Sequence, residues 1–179
     1  MTLMRMEDGT VNNSADQLKS SVGVAPDQGV AVWYLNNRMT IKATGATTGG
    51  AFSLLEALLP PGTSPPLHIH RAEDEPMWVV DGVLTFRVGD ETFGAGPGSF
   101  AFLPRDVPHT FVVEGTTTAH VLILLVPAGG EGYFIEGGRP AEGNGMPAAS
   151  PPDFAKLEEV AAKYHIEMIG PPLEAKERR

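Results

Sequence analysis

Two histidines two residues apart, His68 and His70, sit in the run Pro66-Leu67-His68-Ile69-His70. If that run is a strand, its alternating side chains send both imidazoles to one face. Two neutral imidazoles on one face are a ready chelate for zinc, iron, nickel or copper. Glu75 opens the next apolar run, Pro76-Met77-Trp78-Val79-Val80, and shares a face with Met77 and Val79. A carboxylate at the head of an inward row is costly unless it is paired or bound to a metal. His109 leads Phe111 and Val113 in the same way. The two remaining histidines fit no such arrangement. His120 begins a strand and His165 ends a helix, so both read as structural or solvated.

The elements that must position these groups are short runs of Val, Phe, Thr and Leu between turn residues. Strands are expected over 30–35, 39–43, 51–59, 66–70, 76–80, 83–88, 91–93, 99–103, 109–113 and 119–126. Many short strands with close turn signals indicate an all-β sandwich or barrel. Asp81-Gly82 between apolar runs predicts a hairpin, because such turns need positive φ, and Gly89-Asp90 predicts another. Residues 129–149 are rich in Gly and Pro and read as a surface loop leaving the barrel. A helix follows, with Ser150 as cap, Pro151 in its first turn and Asp153 completing a capping box. Phe154, Leu157, Val160, Ala161 and Tyr164 form its apolar face, which would pack as a brace on the barrel's outer wall. Gly170-Pro171-Pro172 ends whatever comes after it. The expected organisation is a flexible N-terminal arm over 1–29, a barrel over 30–127, and a loop plus C-terminal helix over 128–179.

Composition narrows the chemistry. The 179 residues carry 13 Lys+Arg against 22 Asp+Glu, a net charge of −9, which leaves no basic face for nucleic acid. With no cysteine, thiolate zinc sites, iron–sulfur clusters, disulfides and cysteine nucleophiles are all excluded. Any metal must be held by His, Asp or Glu. No run reaches the ~18 apolar residues of a membrane span, and the polar start lacks a secretory signal, so a cytoplasmic protein is expected.

The spacing of these residues resembles the two signatures of the cupin superfamily. Gly62, His68, His70, Glu75 and Gly82 meet every spacing of the first signature. Gly98, Pro104 and His109 match the second, with Asp106 standing where that signature has a Gly and Val113 where it has an Asn. The resemblance implies an antiparallel jelly-roll β-barrel with a short C-terminal helical appendage. It also implies one divalent transition metal per chain (Fe, Ni, Mn, Co, Cu or Zn), held by His68, His70, Glu75 and His109.

The wider text is similar to single-domain cupins of the quercetin 2,3-dioxygenase-like kind, at Thr48 to Phe52, Pro60-Pro61-Gly62, Pro127 to Phe134 and Ile169 to Leu173. That resemblance implies a dioxygenase using O2 on a small aromatic or flavonol-like substrate, with Glu75 as both ligand and general base. Phe52, Met77, Phe100, Phe102, Phe111 and Val113 are the candidate pocket lining, and their apolar character suits a planar aromatic ring. The same ligand set also serves isomerases, cyclases and decarboxylases of small oxygenated metabolites, and a non-catalytic binding cupin remains a third reading. A homodimer is expected as well, with the strand over 30–35 crossing to a partner sheet to hide an edge.

Overall fold

The structure is a computed structural model that describes residues 23–26, 28–151 and 153–175, the side chain of Phe154 excepted. Most of the expected N-terminal arm, residues 1–22, therefore lies outside the described residues. Twelve strands and three short helices follow in the described residues.

The first half contributes β1 (Val30–Tyr34), β2 (Asn37–Ala43), α1 (Gly45–Thr48), β3 (Ser53–Leu59), β4 (Pro66–His70) and β5 (Glu75–Asp81). The middle contributes β6 (Leu84–Val88), β7 (Glu91–Ala95), β8 (Phe100–Leu103), β9 (His109–Val113) and β10 (Ala119–Leu125). After these come α2 (Glu131–Gly137), β11 (Arg139–Pro140), α3 (Phe154–Lys163) and β12 (Ile166–Pro172). One sheet has the order β11-β1-β2-β3-β10-β5-β8 and the other β12-β4-β9-β6-β7, and every pairing is antiparallel. This is the expected all-β fold of two facing sheets.

Alternation builds the interior. β3 buries Ser53, Leu55, Ala57 and Leu59, while β10, paired with it, buries Ala119, Val121, Ile123 and Leu125. From the second sheet Leu84, Phe86, Phe111 and Val113 meet them in one core. Each large side chain taken out of water there contributes roughly 1.5–3 kcal/mol. The predicted turn at Asp81-Gly82 is present. Gly82 has φ of 88°, and a Cβ on it would stand 2.7 Å from the Ala119 backbone, so only glycine fits between β5 and β10.

The C-terminal third departs from the expectation of a loop and one helix. The 129–149 stretch contains α2, whose Tyr133 and Phe134 are buried in the core. The cap of α3 is Asp153, whose side chain accepts from the Lys156 amide at 3.1 Å, so the cap stands three residues after Ser150. Ser150 is engaged elsewhere: its amide donates to Asn36 Oδ1 at 3.0 Å and its carbonyl accepts from Asn36 Nδ2. β12 is a strand that the expectation lacks. It runs through Gly170 and Pro172 alongside β4, with its register slipping at both residues. Proline is tolerated there because β12 is an edge strand and its outer side needs no amide donor.

At the opposite edge β1 is flanked by β11 of its own chain, with Val32 opposite Pro140 and Trp33 opposite Arg139. The edge expected to cross onto a partner is thus partly covered from within. No helix among the described residues is long and apolar enough to cross a membrane.

Candidate metal centre

β4 and β9 lie side by side in the second sheet, with His68 directly opposite His109. β5 belongs to the other sheet and presents Glu75 from its first residue, in one inward row with Met77 and Val79. The barrel thereby brings His68, His70, Glu75 and His109 together, all buried, with their ligand atoms within 4.8 Å of one another. The imidazole centroids are 4.5 Å (His68–His109), 5.2 Å (His68–His70) and 5.3 Å (His70–His109) apart.

Local hydrogen bonds decide which nitrogen faces the centre. His68 Nδ1–H donates to the Pro66 carbonyl at 2.7 Å, and His109 Nδ1–H donates to the Val107 carbonyl at 2.9 Å. A carbonyl only accepts, so Nδ1 carries the proton in both rings and each Nε2 is left with a lone pair. His109 Nε2 is buried without a hydrogen-bond partner among the described residues and lies 3.4 Å from Glu75 Oε2. His70 Nε2 is 3.9 Å from the same oxygen. Acceptors facing one another inside a barrel repel unless a cation lies between them. Three imidazole nitrogens and one carboxylate oxygen fit a divalent transition metal.

The electrostatics agree with this geometry. Burial pushes the His68 pKa down to about 4, with the neighbouring His109 adding to the effect, so the ring is neutral at physiological pH. Burial favours a protonated Glu75, yet contact with His109 and the electrostatic influence of His70, His109 and His68 outweigh it and hold the carboxyl at about 2. For His70, burial is outweighed by the carboxylates of Glu73 and Glu75, and the pKa is raised.

An arginine clamp holds the two ligand-bearing loops. Arg105, four residues before His109, donates to both carboxylate oxygens of Asp74, at 3.1 and 3.0 Å, and to the carbonyls of Ala72 and Val126, each at 3.0 Å. The segment entering β9 is thereby tied to the segment entering β5.

The candidate pocket residues divide. Met77, Phe111 and Val113 are buried on the inner faces. Phe100 and Phe102 are 57% and 51% exposed, and they point out of the barrel. The register explains this correction: Met77 pairs with Ala101 and Glu75 with Leu103, so Ala101 and Leu103 take the inner positions of β8. Phe52 precedes β3, is 37% exposed, and lies in an outer groove with Lys42, Leu54 and Leu122. His120 and His165 stand away from the centre. His120 Nε2 meets Glu56 Oε1 at 2.8 Å on the sheet exterior, and the His165 carbonyl accepts from the Arg71 amide.

One buried group escapes sequence reasoning. Glu73 is 3% exposed and puts Oε2 3.7 Å from His70 Nδ1. In the text Arg71-Ala72-Glu73-Asp74-Glu75 it reads as part of a solvated acidic turn. Only its place three residues after His70 hints otherwise.

Comparison with known proteins bears on this site. Residues 55–126 match the family model described as the cupin domain, a span running from β3 to the end of β10. A quercetin 2,3-dioxygenase of Bacillus subtilis is 30% identical over 87 residues, which is 48% of this chain and 26% of that protein. The chain thus spans about a quarter of the length of this curated relative. Among solved structures, a predicted oxalate decarboxylase from Thermotoga maritima aligns with a TM-score of 0.54 and 20% identity, over 59% of this chain and 99% of that one. An RmlC-like cupin from Shewanella frigidimarina aligns with a TM-score of 0.51 and 16% identity, over 62% and 96%. These two likenesses concern the fold.

Proposed function

Because the chain belongs to the cupin superfamily through residues 55–126, we propose that it is a metal-dependent dioxygenase acting with O2 on a small aromatic, flavonol-like substrate. The observation that carries a metal-dependent reaction is the orphaned Nε2 of His109 facing the Glu75 carboxylate inside a ring of three imidazoles. The likeness to the Bacillus subtilis dioxygenase favours O2 chemistry among the reactions such a site serves.

His68, His70, Glu75 and His109 would hold a divalent ion, which would supply Lewis acidity toward a substrate hydroxyl. Glu75, its carboxyl held below the usual carboxylate range by the imidazoles around it, is ionised at neutral pH, the form in which a carboxylate ligates. Met77 is buried in the same inward row, and Phe111 and Val113 are buried further along β9. The reading includes a homodimer in the cytoplasm. Its dimer face is the outer surface of β5 and β8, where Trp78 opposes Phe100 and both are exposed.

The test uses protein stripped of metal, reloaded separately with Fe, Ni, Mn, Co, Cu or Zn, and given quercetin in an oxygen electrode. The expected result is consumption of one O2 and release of one carbon monoxide per flavonol with at least one ion. Metal uptake without O2 consumption on any flavonol would move the assignment to an isomerase, cyclase or decarboxylase. Absence of metal uptake would remove the enzyme reading.

A further inference from the structure

Glu73 is the one buried carboxylate near the metal centre, among the described residues, that the ligand set leaves without a task. Its Oε2 has no hydrogen-bond partner among the described residues, and neither has His70 Nδ1, 3.7 Å away. A buried polar oxygen without a partner is costly, so its neighbours are expected to satisfy it. The two orphans face one another, and each is the partner the other lacks. His68 and His109 each give their Nδ1–H to a backbone carbonyl two residues earlier, at Pro66 and Val107. His70 has no such carbonyl, and Glu73 occupies the corresponding place.

The carboxylate is itself held in position. Gly130, the N-cap of α2, packs against it so closely that a Cβ there would collide with Glu73 Oε1, lie 3.1 Å from its Cδ, and lie 2.9 Å from Leu125 Cδ1.

We propose that Glu73 is a positioning residue that accepts the Nδ1–H of His70, turns its Nε2 lone pair toward the metal, and is braced by Gly130 of the C-terminal segment. This rests on the metal-site reading above and extends it. The C-terminal segment then completes the metal centre without contributing a ligand. It also makes His70 the strongest donor of the three, because a carboxylate partner raises imidazole basicity more than a carbonyl does.

The conservative variant separates the role from a structural one. Glu73→Leu leaves the buried His70 Nδ1 without its acceptor, so the metal-free protein should melt somewhat lower. The same change should weaken Co2+ binding by about 10–100-fold, read by competition with a chromophoric chelator. Glu73→Gln keeps an oxygen that accepts the same N–H, and should recover most of that affinity. Gly130→Ala should weaken Co2+ binding with Glu73 still present.

Parent-like Co2+ affinity in Glu73→Leu overturns the proposal. So does a Gln variant that binds no better than Leu. Unchanged affinity in Gly130→Ala removes the brace. A parent protein that takes up no Co2+ is a different failure, that of the metal site itself, and it is seen before any variant is made.

Discussion

β5 and β8 carry two faces of opposite character. Inward, Glu75, Met77 and Val79 stand beside Ala101 and Leu103, all buried, and the row ends at the histidine cluster. Outward, Trp78, Val80, Phe100 and Phe102 are 40–57% exposed. By hydropathy alone the outer row is the more core-like, since it is larger and wholly apolar, while the inner row begins with a carboxylate. Pairing decides between them. A residue shares its face with the one opposite, and a period of two leaves no other choice. An apolar strand residue therefore does not identify a core, whereas a polar residue at the head of a buried row does identify a site.

The sharpest way to break this comparison is at the inner row. His68→Ala, His70→Ala and His109→Ala should each lower metal affinity by more than the roughly 100-fold that losing an outer partner costs, with the barrel still folded. Plasma emission analysis of the purified variants checks it, and stoichiometric metal in any one of them removes that residue from the ligand set. Glu75→Gln comes next. Three neutral imidazoles still hold an ion, so metal content should fall modestly, while turnover per bound metal falls by about 10²-fold if Glu75 is the base. A ratio to the parent near one would leave Glu75 a ligand only.

Much of the inner row is legible in the sequence alone. His68, His70, Glu75 and His109 announce themselves because each is a polar group placed on an apolar period, and strand alternation converts spacing into direction. The β-rich architecture is legible for the same reason. Three features are not. Glu73 is hidden because its burial comes from Gly130, 57 residues along the chain, and no local pattern encodes that contact. β12 is hidden because Pro171 and Pro172 signal a strand end, a signal that fails at an edge. Phe100 and Phe102 are misplaced because either register of β8 reads as equally plausible when Ala101 and Leu103 are apolar too.

The outer row is the place to sharpen the comparison from its other side. Exposed aromatics in register across two strands form a flat apolar face, and a second copy of the chain is the partner expected to cover it. Trp78→Asp combined with Phe100→Asp should convert a dimer to the 19.0 kDa monomer in light scattering while leaving metal content at the parent value. If the parent already runs at 19.0 kDa at micromolar concentration, the dimer is wrong. If the variant loses its metal, the two faces are not independent.

The smallest expected effect belongs to a buried polar pair in the core that holds no ligand position. The hydroxyls of Tyr34 on β1 and Tyr133 on α2 meet at 2.5 Å, both side chains being buried. Burial first, then the neighbouring Tyr133, pushes the Tyr34 phenol well above its ordinary value, so both groups stay protonated and one proton bridges them. Tyr34→Phe keeps the ring contacts with Tyr133 and Phe134 but leaves the Tyr133 hydroxyl without this partner. The cost is about 1–3 kcal/mol, and each kcal/mol lowers Tm by roughly 2–4 °C in a chain of this size. Metal affinity should stay at the parent value, because no atom of the pair is among the ligands. Calorimetry and the Co2+ competition assay run on the same sample separate the outcomes. A Tm loss alone makes the pair a bolt between α2 and the barrel. An equal Tm with weaker metal binding would transfer the pair to the metal centre and erase the boundary drawn here between packing and site.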